Sequence, residues 1–138
     1  MGRGAAPLLV YSSIVSAKSV AIIDDDASAN RALARLVRSA GFTSSSFYSA
    51  ESFLADPSRS SFTCLLLDIQ LTGMSGLDLQ RLLQTEGTHP PIIFVTAHDD
   101  PTYRAEAVRR GCADFLRKTD PGALVIEALH RTTADDGA

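Results

Sequence analysis

The sequence predicts a single α/β domain built on a mostly parallel sheet, with helices on both of its faces. Short apolar runs alternate five times with amphipathic stretches, which is the pattern of repeated β-α-β units. One apolar run is almost continuous, as expected for a strand that is covered on both faces. With 138 residues, 45% of them hydrophobic, the chain is long enough to bury one core.

The first two β-α units are expected within residues 20–55. Val20–Ile23 is a candidate for a buried strand, and Ala29–Ala40 follows as a helix whose apolar residues share one side and which stops at Gly41. Phe42–Tyr48 is interpreted as a second strand, and its serines favour a position at the edge of the sheet. A short helix, Ala50–Ala55, ends before a proline.

The third strand, Phe62–Asp68, contains the almost continuous apolar run and is therefore expected at the centre of the sheet. The remaining elements continue the alternation: helix Leu77–Gln84, strand Ile92–Thr96, helix Thr102–Arg110, strand Asp114–Arg117 and helix Gly122–Arg131. The domain is thus expected to span residues 18–131, with a C-terminal tail at residues 132–138.

Residues 1–17 differ in composition from the rest of the chain. They carry one charge, Arg3, followed by the apolar stretch Ala5–Val10. We interpret them as an N-terminal extension that is poorly ordered or packed on the surface. The alternative is a weak signal peptide, because a positive start and an apolar middle are both present. No run approaches the ~20 apolar residues that span a bilayer, so we expect no membrane association.

Charge and cysteine content restrict the partners and the compartment. The chain has 13 Lys and Arg against 16 Asp and Glu, a net charge of −3, which argues against direct binding of this chain to nucleic acid or anionic lipid. Cys64 and Cys112 form no CxxC pair, so we expect two free thiols in a reducing, cytoplasmic compartment.

The residues that end the predicted strands are the candidates for a functional site, because ligands bind beyond the carboxyl ends of parallel strands. They are Asp24, Asp25 and Asp26 after the first strand, Asp68 after the third, Thr96 at the end of the fourth and Lys118 after the fifth. Two carboxylates ~4 Å apart repel by about 4 kcal/mol at an effective dielectric constant near 20, so such a cluster requires a cation or raised pKa values. An all-oxygen ligand set favours Mg²⁺ over Zn²⁺.

The same constellation permits phosphoryl transfer to a carboxylate. Asp68 ends the most apolar strand and is the natural nucleophile. Lys118 would place a positive charge near a phosphoryl oxygen, and the Thr96 hydroxyl would donate a hydrogen bond to another. Asp26 is interpreted as the cap of the first helix or as a residue that faces solvent, rather than as a metal ligand.

Four segments, in this order, resemble the receiver domain of two-component response regulators, the CheY-like family. The resemblance covers about residues 18–131, and its motifs are Ile22–Asp26, Leu66–Ile69 with Met74–Gly76, Val95–Ala97 and Gly111–Lys118. It implies the five-stranded, flavodoxin-like sheet with strand order 2-1-3-4-5.

The resemblance also implies the roles of individual residues. Asp68 would accept a phosphoryl group from a sensor histidine kinase in a phosphorelay. Mg²⁺ would be bound by Asp68, by Asp25 directly, by Asp24 directly or through water, and by the backbone carbonyl of Gln70. Thr96 and Phe115 would form the switch pair that changes conformation on phosphorylation. Such a domain is a phosphoacceptor that catalyses its own Mg²⁺-dependent phosphorylation and slow dephosphorylation, rather than a classical enzyme.

Two positions depart from the family's pattern, which usually has proline at both. Thr119 follows Lys118, and Thr72 stands in the loop Leu71–Met74. The second departure predicts a more mobile loop after Asp68.

The implied partners are a sensor histidine kinase and an output domain or a downstream protein. The segments Gly73–Gly76 and Ala97–Asp100 resemble receivers that are attached to helix-turn-helix, DNA-binding outputs. A stripe of arginines on the first helix is a candidate docking surface for the kinase: Arg31, Arg35 and Arg38. The stretch Val108–Leu129 is a candidate surface for a phosphorylation-dependent homodimer or for an output partner.

Two alternatives stay open at this point. An aspartate-nucleophile phosphatase of the haloacid-dehalogenase type would need an acid two residues after Asp68, where the chain has Gln70. A degenerate receiver would bind partners without being phosphorylated, but it would not need the intact set of acidic residues, Thr96 and Lys118.

Overall fold

The computed structural model describes residues 18–134, so the interpretation of residues 1–17 falls outside the described part of the chain. Five parallel strands form one sheet in the order β2-β1-β3-β4-β5. The strands are β1 (Ser19–Ile23), β2 (Thr43–Phe47), β3 (Cys64–Leu67), β4 (Ile92–Thr96) and β5 (Asp114–Arg117). The predicted fold class and strand order are confirmed.

Five α-helices connect and follow the strands. They are α1 (Ala27–Ser39), α2 (Ala50–Leu54), α3 (Gly76–Thr85), α4 (Pro101–Arg109) and α5 (Gly122–Thr133). A short 3₁₀ helix, Arg59–Ser61, precedes β3 and was not predicted. None of the helices in the described residues is long and apolar enough to cross a membrane.

Most predicted boundaries differ by one or two residues from the observed ones. Helix α1 begins at Ala27 rather than Ala29, because the Asp26 side chain accepts hydrogen bonds from two backbone N–H groups of the first turn. The expected capping role of Asp26 is therefore confirmed. Helix α5 continues to Thr133, so the first two residues of the predicted tail, 132 and 133, are helical.

Two hydrophobic clusters lie between the sheet and the helices, one on each face. Successive side chains of a strand point to opposite faces, so β1 and β3 contribute to both clusters. The larger cluster contains Phe53, Leu79, Leu83 and Phe94, and the smaller contains Val37, Ile93, Val125 and Leu129. All four residues of β3 are buried, which confirms its predicted central position between β1 and β4. The serine-rich β2 lies at the edge, as predicted.

Candidate functional site

The register of the central strands brings two of the predicted acidic residues together. Ile23 of β1 lies opposite Leu67 of β3, so the residues that follow them, Asp24 and Asp68, emerge side by side at the carboxyl edge of the sheet. All of β3 is buried, as is β1 from Val20 to Ile23. The two acidic residues are buried as well, with relative exposures of 1% for Asp24 and 5% for Asp68. The fold therefore holds two acids in a poorly solvated position.

Lys118 is brought to the same edge by the pairing of β4 with β5. Thr96 lies opposite Arg117, and the N–H of Lys118 donates a hydrogen bond of 2.9 Å to the Thr96 carbonyl. The Lys118–Thr119 peptide bond is trans, as are the other described peptide bonds.

The ammonium group of Lys118 contacts both buried carboxylates. Its Nζ atom lies 2.8 Å from Oδ2 of Asp24 and 2.9 Å from Oδ2 of Asp68. Buried charges are tolerated when they are paired in this way. Lys118 is thus positioned beside the predicted nucleophile, as the sequence analysis expected.

Three carboxylates, from Asp24, Asp25 and Asp68, form an acidic cluster. One oxygen from each residue lies within 4.8 Å of the others. Asp25 is the exposed member and forms the side of the cluster that faces solvent. Lys118 supplies one positive charge against three negative charges, so the cluster keeps a negative surplus that fits a divalent cation. An all-oxygen donor set at this spacing suits Mg²⁺.

The pKa values of Asp24 and Lys118 reflect this crowding. Burial raises the pKa of Asp24 above its ordinary value, and the charge of Asp68 raises it further, although Lys118 and the N–H of Asp26 act in the opposite direction. Burial lowers the pKa of Lys118, but hydrogen bonds and charges from Asp24 and Asp68 outweigh this effect and raise it. The site thus stabilises the ammonium form of Lys118 and disfavours the ionised form of Asp24.

We expect Asp24→Asn to raise the free energy of unfolding at neutral pH without divalent cations, because burial disfavours the ionised carboxylate of Asp24. Asparagine keeps the acceptor for the N–H of Asp26 and removes a disfavoured charge, while Lys118 keeps Asp68 as its partner. Because the pKa of Asp24 is raised on folding, the wild type loses stability as pH increases from 3.8 through that raised value. Urea unfolding at several pH values checks this: the difference from wild type should vanish below pH 3.8. A variant less stable than wild type at neutral pH would contradict it.

Asn30, which was not predicted as a site residue, fixes the start of the acidic loop. Its side chain is fully buried on α1, and its Nδ2 donates hydrogen bonds of 3.0 Å to the carbonyls of Asp24 and Phe47. The N–H of Asp26 donates to Oδ1 of Asp24 at 2.9 Å. The sequence feature that would identify Asn30 is a polar residue on the apolar face of the first helix, one turn after the aspartate that caps it.

The loop after Asp68 contacts the cluster through Thr72. Both the N–H and the hydroxyl of Thr72 donate hydrogen bonds to Oδ2 of Asp25, at 2.9 and 3.0 Å. On the other side of Gly73, the N–H of Met74 donates to Oε2 of Glu51 at 2.8 Å. The greater mobility predicted for this loop stays a prediction, and these hydrogen bonds oppose it.

Gln70, two residues after Asp68, is exposed. Its N–H lies 3.4 Å from Oδ1 of Asp68, a weak contact. The role of the Gln70 carbonyl as a metal ligand stays a prediction.

Thr96 and Phe115, the predicted switch pair, lie on neighbouring strands. Thr96 is fully buried, and its hydroxyl accepts a hydrogen bond of 3.2 Å from the N–H of His98. Phe115 is also buried, at 5% exposure, with its ring centroid 5.9 Å from that of Phe94. The guanidinium carbon of Arg104, on α4, lies 4.6 Å from the ring centroid of Phe115. The sequence analysis did not identify this contact.

A family model described as the response regulator receiver domain matches residues 20–129. The response regulator protein TodT of Pseudomonas putida is 43% identical over 102 residues, which cover 74% of this chain and 45% of TodT. The transcriptional regulatory protein FixJ of Azorhizobium caulinodans is 36% identical over 110 residues, covering 80% of this chain and 52% of FixJ. The chain therefore spans about half the length of these curated relatives.

Solved structures of response regulator proteins are also similar to this chain. A response regulator receiver protein from Burkholderia phymatum has 38% identity and a TM-score of 0.72, and the match covers 84% of this chain and 94% of that protein. The structure titled FixJ-N has 31% identity and a TM-score of 0.76, with 84% and 93% of the two chains covered. The similarity thus includes both sequence and fold over almost all of the described residues.

Proposed function

This chain belongs to the response regulator receiver domain family, and on that premise we propose that Asp68 is the residue that accepts a phosphoryl group from a sensor histidine kinase. As a member of the family it is a signalling domain of two-component systems. The observation that supports Asp68 most directly is its contact with Lys118, which also contacts Asp24 in the acidic cluster.

Asp68 has the surroundings of a nucleophile. Its Oδ2 is paired with Lys118, whereas its Oδ1 has, among the described residues, only the weak contact with the N–H of Gln70. In the proposed transfer, an oxygen of Asp68 forms a bond to phosphorus while the bond between phosphorus and the imidazole nitrogen of the kinase breaks. The imidazole then takes a proton from solvent. Because the transition state is loose, positioning and charge stabilisation by the site provide most of the catalysis.

The acidic cluster fits Mg²⁺, which we propose is held by Asp24, Asp25, Asp68 and the carbonyl of Gln70. When bound, Mg²⁺ supplies positive charge that stabilises the phosphoryl oxygens. The chain's own contribution is to hold three carboxylates together at the sheet edge, at the cost of their mutual repulsion. On this proposal the chain itself catalyses both its phosphorylation from small donors and a slow dephosphorylation.

Lys118 and Thr96 would bind the phosphoryl oxygens once Asp68 is modified. Lys118 is already in place, and the Thr96 hydroxyl would turn away from the N–H of His98 to donate to the phosphoryl group. Phe115 lies on the adjacent strand and is packed inward, beside Phe94 and under Arg104. We propose that the movement of Thr96 is coupled to the position of this ring, which changes the surface formed by β5 and α4.

The kinase would dock next to this edge of the sheet. All three arginines of the stripe on α1 are exposed: Arg31, Arg35 and Arg38. The helix that carries them begins three residues after Asp24. An acidic helical surface of a kinase would be attracted to such a stripe.

The output of the signal would come through a longer protein or a separate partner. The relatives TodT and FixJ are about twice as long as the matched region, and FixJ is named a transcriptional regulator. We propose an output domain or a downstream protein as the reader, with a phosphorylation-dependent homodimer through the region 108–129. Two large apolar residues are exposed in this region, Val108 at 58% and Leu124 at 40%.

We further propose a cytoplasmic location, in which the free thiols of Cys64 and Cys112 stay reduced.

We expect the wild-type chain, incubated with Mg²⁺ and acetyl phosphate, to gain the mass of one phosphoryl group. The reason is that Asp68, Lys118 and the acidic cluster are already assembled. Intact-mass spectrometry measures the adduct, and addition of EDTA should prevent it. Repeated turnover of phosphate esters would favour the phosphatase alternative instead, and the absence of any adduct would favour a receiver that only binds partners.

A further inference from the structure

We propose that Thr72 is a positioning residue for Mg²⁺, which it favours by fixing the orientation of the Asp25 carboxylate. The inference rests on the proposed function, because it assumes that the acidic cluster binds Mg²⁺. It adds a residue that is not a ligand and that lies 47 positions away from Asp25 in the sequence. It also assigns a role to a position where the family's usual proline is absent.

The contact between Thr72 and Asp25 is a double hydrogen bond to a single atom. The backbone N–H and the side-chain hydroxyl of Thr72 both donate to Oδ2, at 2.9 and 3.0 Å. Within residues 18–134, the Asp25 carboxylate accepts no other hydrogen bond. An exposed aspartate without such a contact would rotate freely, so Thr72 is what holds this carboxylate toward Asp24 and Asp68.

A metal-binding carboxylate is commonly oriented by hydrogen bonds to the oxygen that does not bind the metal. Asp25 has this arrangement, because Thr72 occupies Oδ2 and leaves Oδ1 available to a cation. Pre-orientation reduces the loss of side-chain entropy on binding, so it increases the affinity for Mg²⁺ without adding a ligand.

Thr72 can orient Asp25 only if Thr72 is itself held in place, and the next residues of the loop provide this. The N–H of Met74 donates to Oε2 of Glu51 on α2 at 2.8 Å. Gly73 has a φ of +84°, and a Cβ atom at this position would lie 2.7 Å from the same Glu51 oxygen. Glycine therefore permits the close approach to Glu51 that anchors the loop beside Thr72.

Comparing threonine, serine and valine at position 72 separates the contribution of the hydroxyl group from that of the backbone N–H. Serine retains both donors, and valine retains the N–H and the branched shape of threonine but has no hydroxyl. Because the side chain of Thr72 is exposed, neither substitution disturbs the core. Thr85→Val is a matched control, since Thr85 is also an exposed threonine but lies at the far end of α3.

The test is the dissociation constant for Mg²⁺, measured by isothermal titration calorimetry on the unphosphorylated chain. We expect Thr72→Val to weaken Mg²⁺ binding about tenfold. Loss of a hydrogen-bond partner of a metal ligand typically reduces metal affinity by roughly 10- to 100-fold, and Thr72→Val removes only one of two hydrogen bonds. Thr72→Ser and Thr85→Val should bind like the wild type, and Asp25→Asn should lose most of the affinity. Thermal unfolding of each variant checks that all of them are folded.

The outcomes distinguish this inference from the function on which it rests. If Thr72→Val binds Mg²⁺ like the wild type while Asp25→Asn does not, Thr72 has no positioning role and the metal site stands. If Thr72→Ser is as weak as Thr72→Val, the hydroxyl is not the cause and the inference is wrong. If the wild type itself does not bind Mg²⁺, both the inference and the proposed metal site are overturned.

Discussion

Asp68→Asn is expected to abolish the phosphoryl adduct that the wild type forms with Mg²⁺ and acetyl phosphate. Asparagine has nearly the same shape, but its amide lacks the negative charge and the nucleophilic oxygen of the carboxylate. The fold should survive the change, because Asp68 belongs to a crowded acidic cluster and Lys118 keeps Asp24 as its partner. Intact-mass spectrometry under the conditions used for the wild type measures the loss, and thermal unfolding shows that the variant is folded.

Asp26→Asn is the matched control for this experiment. Asp26 is also an acid at the carboxyl end of β1, but its side chain caps α1 by accepting hydrogen bonds from Ser28 and Ala29. Asparagine is as good a helix cap as aspartate, so this variant should form the adduct to the same extent as the wild type. An adduct of undiminished intensity in Asp68→Asn would mean that another residue is the acceptor.

The positions of the main site residues were predictable because parallel strands end at one edge of the sheet. Asp24, Asp68, Thr96 and Lys118 each end or follow a strand, and strands were recognisable from their apolar runs. The helix that Asp26 caps is predicted to begin two residues too late, because the capping geometry, rather than hydrophobicity, sets its first turn. The apolar pattern thus predicts which residues meet, and local hydrogen bonds set the boundaries.

The predicted third strand shows where apolarity misleads. Phe62 was included in the strand Phe62–Asp68, but β3 begins at Cys64. Phe62 is an extended residue that directly follows the 3₁₀ helix, and its ring packs against those of Phe47 and Phe53. An apolar residue of a connecting segment that packs against the core resembles a strand residue in the sequence, so the hydrophobic pattern does not distinguish the two.

Some contacts around the site residues were not predictable from the sequence, because their partners are distant along the chain. The hydrogen bonds from Thr72 to Asp25 connect two different loops, and the guanidinium of Arg104 on α4 lies over the ring of Phe115 on β5. No local pattern encodes such pairs, because they depend on how the loop after β3 and the helix α4 are placed over the sheet. The sequence therefore indicates the chemical groups of the site, and the structure adds the residues that orient them.

Gly76→Ala is expected to lower the free energy of unfolding strongly, because α3 packs closely against the end of β3. A Cβ atom on Gly76 would lie 2.1 Å from the carbonyl oxygen of Asp68 and 2.9 Å from Cα of Ile69, and both are backbone atoms that no rotamer change can move. The N–H of Gly76 also donates to the Ile69 carbonyl at 2.8 Å, which holds the helix at this short distance. We expect a loss of about 3 kcal/mol or more in the free energy of unfolding, measured by urea denaturation.

Gly122→Ala tests whether this loss comes from the clash or from replacing any helical glycine. Its added Cβ would lie 3.1 Å from Cδ1 of Leu36, the end of a flexible side chain that can shift, and alanine favours a helix. This variant should therefore stay within ~0.5 kcal/mol of the wild type. Because the clash in Gly76→Ala involves the backbone of Asp68 itself, the fraction that remains folded should also form less phosphoryl adduct. If Gly76→Ala were as stable as Gly122→Ala, α3 could not lie as close to Asp68 as the structure places it.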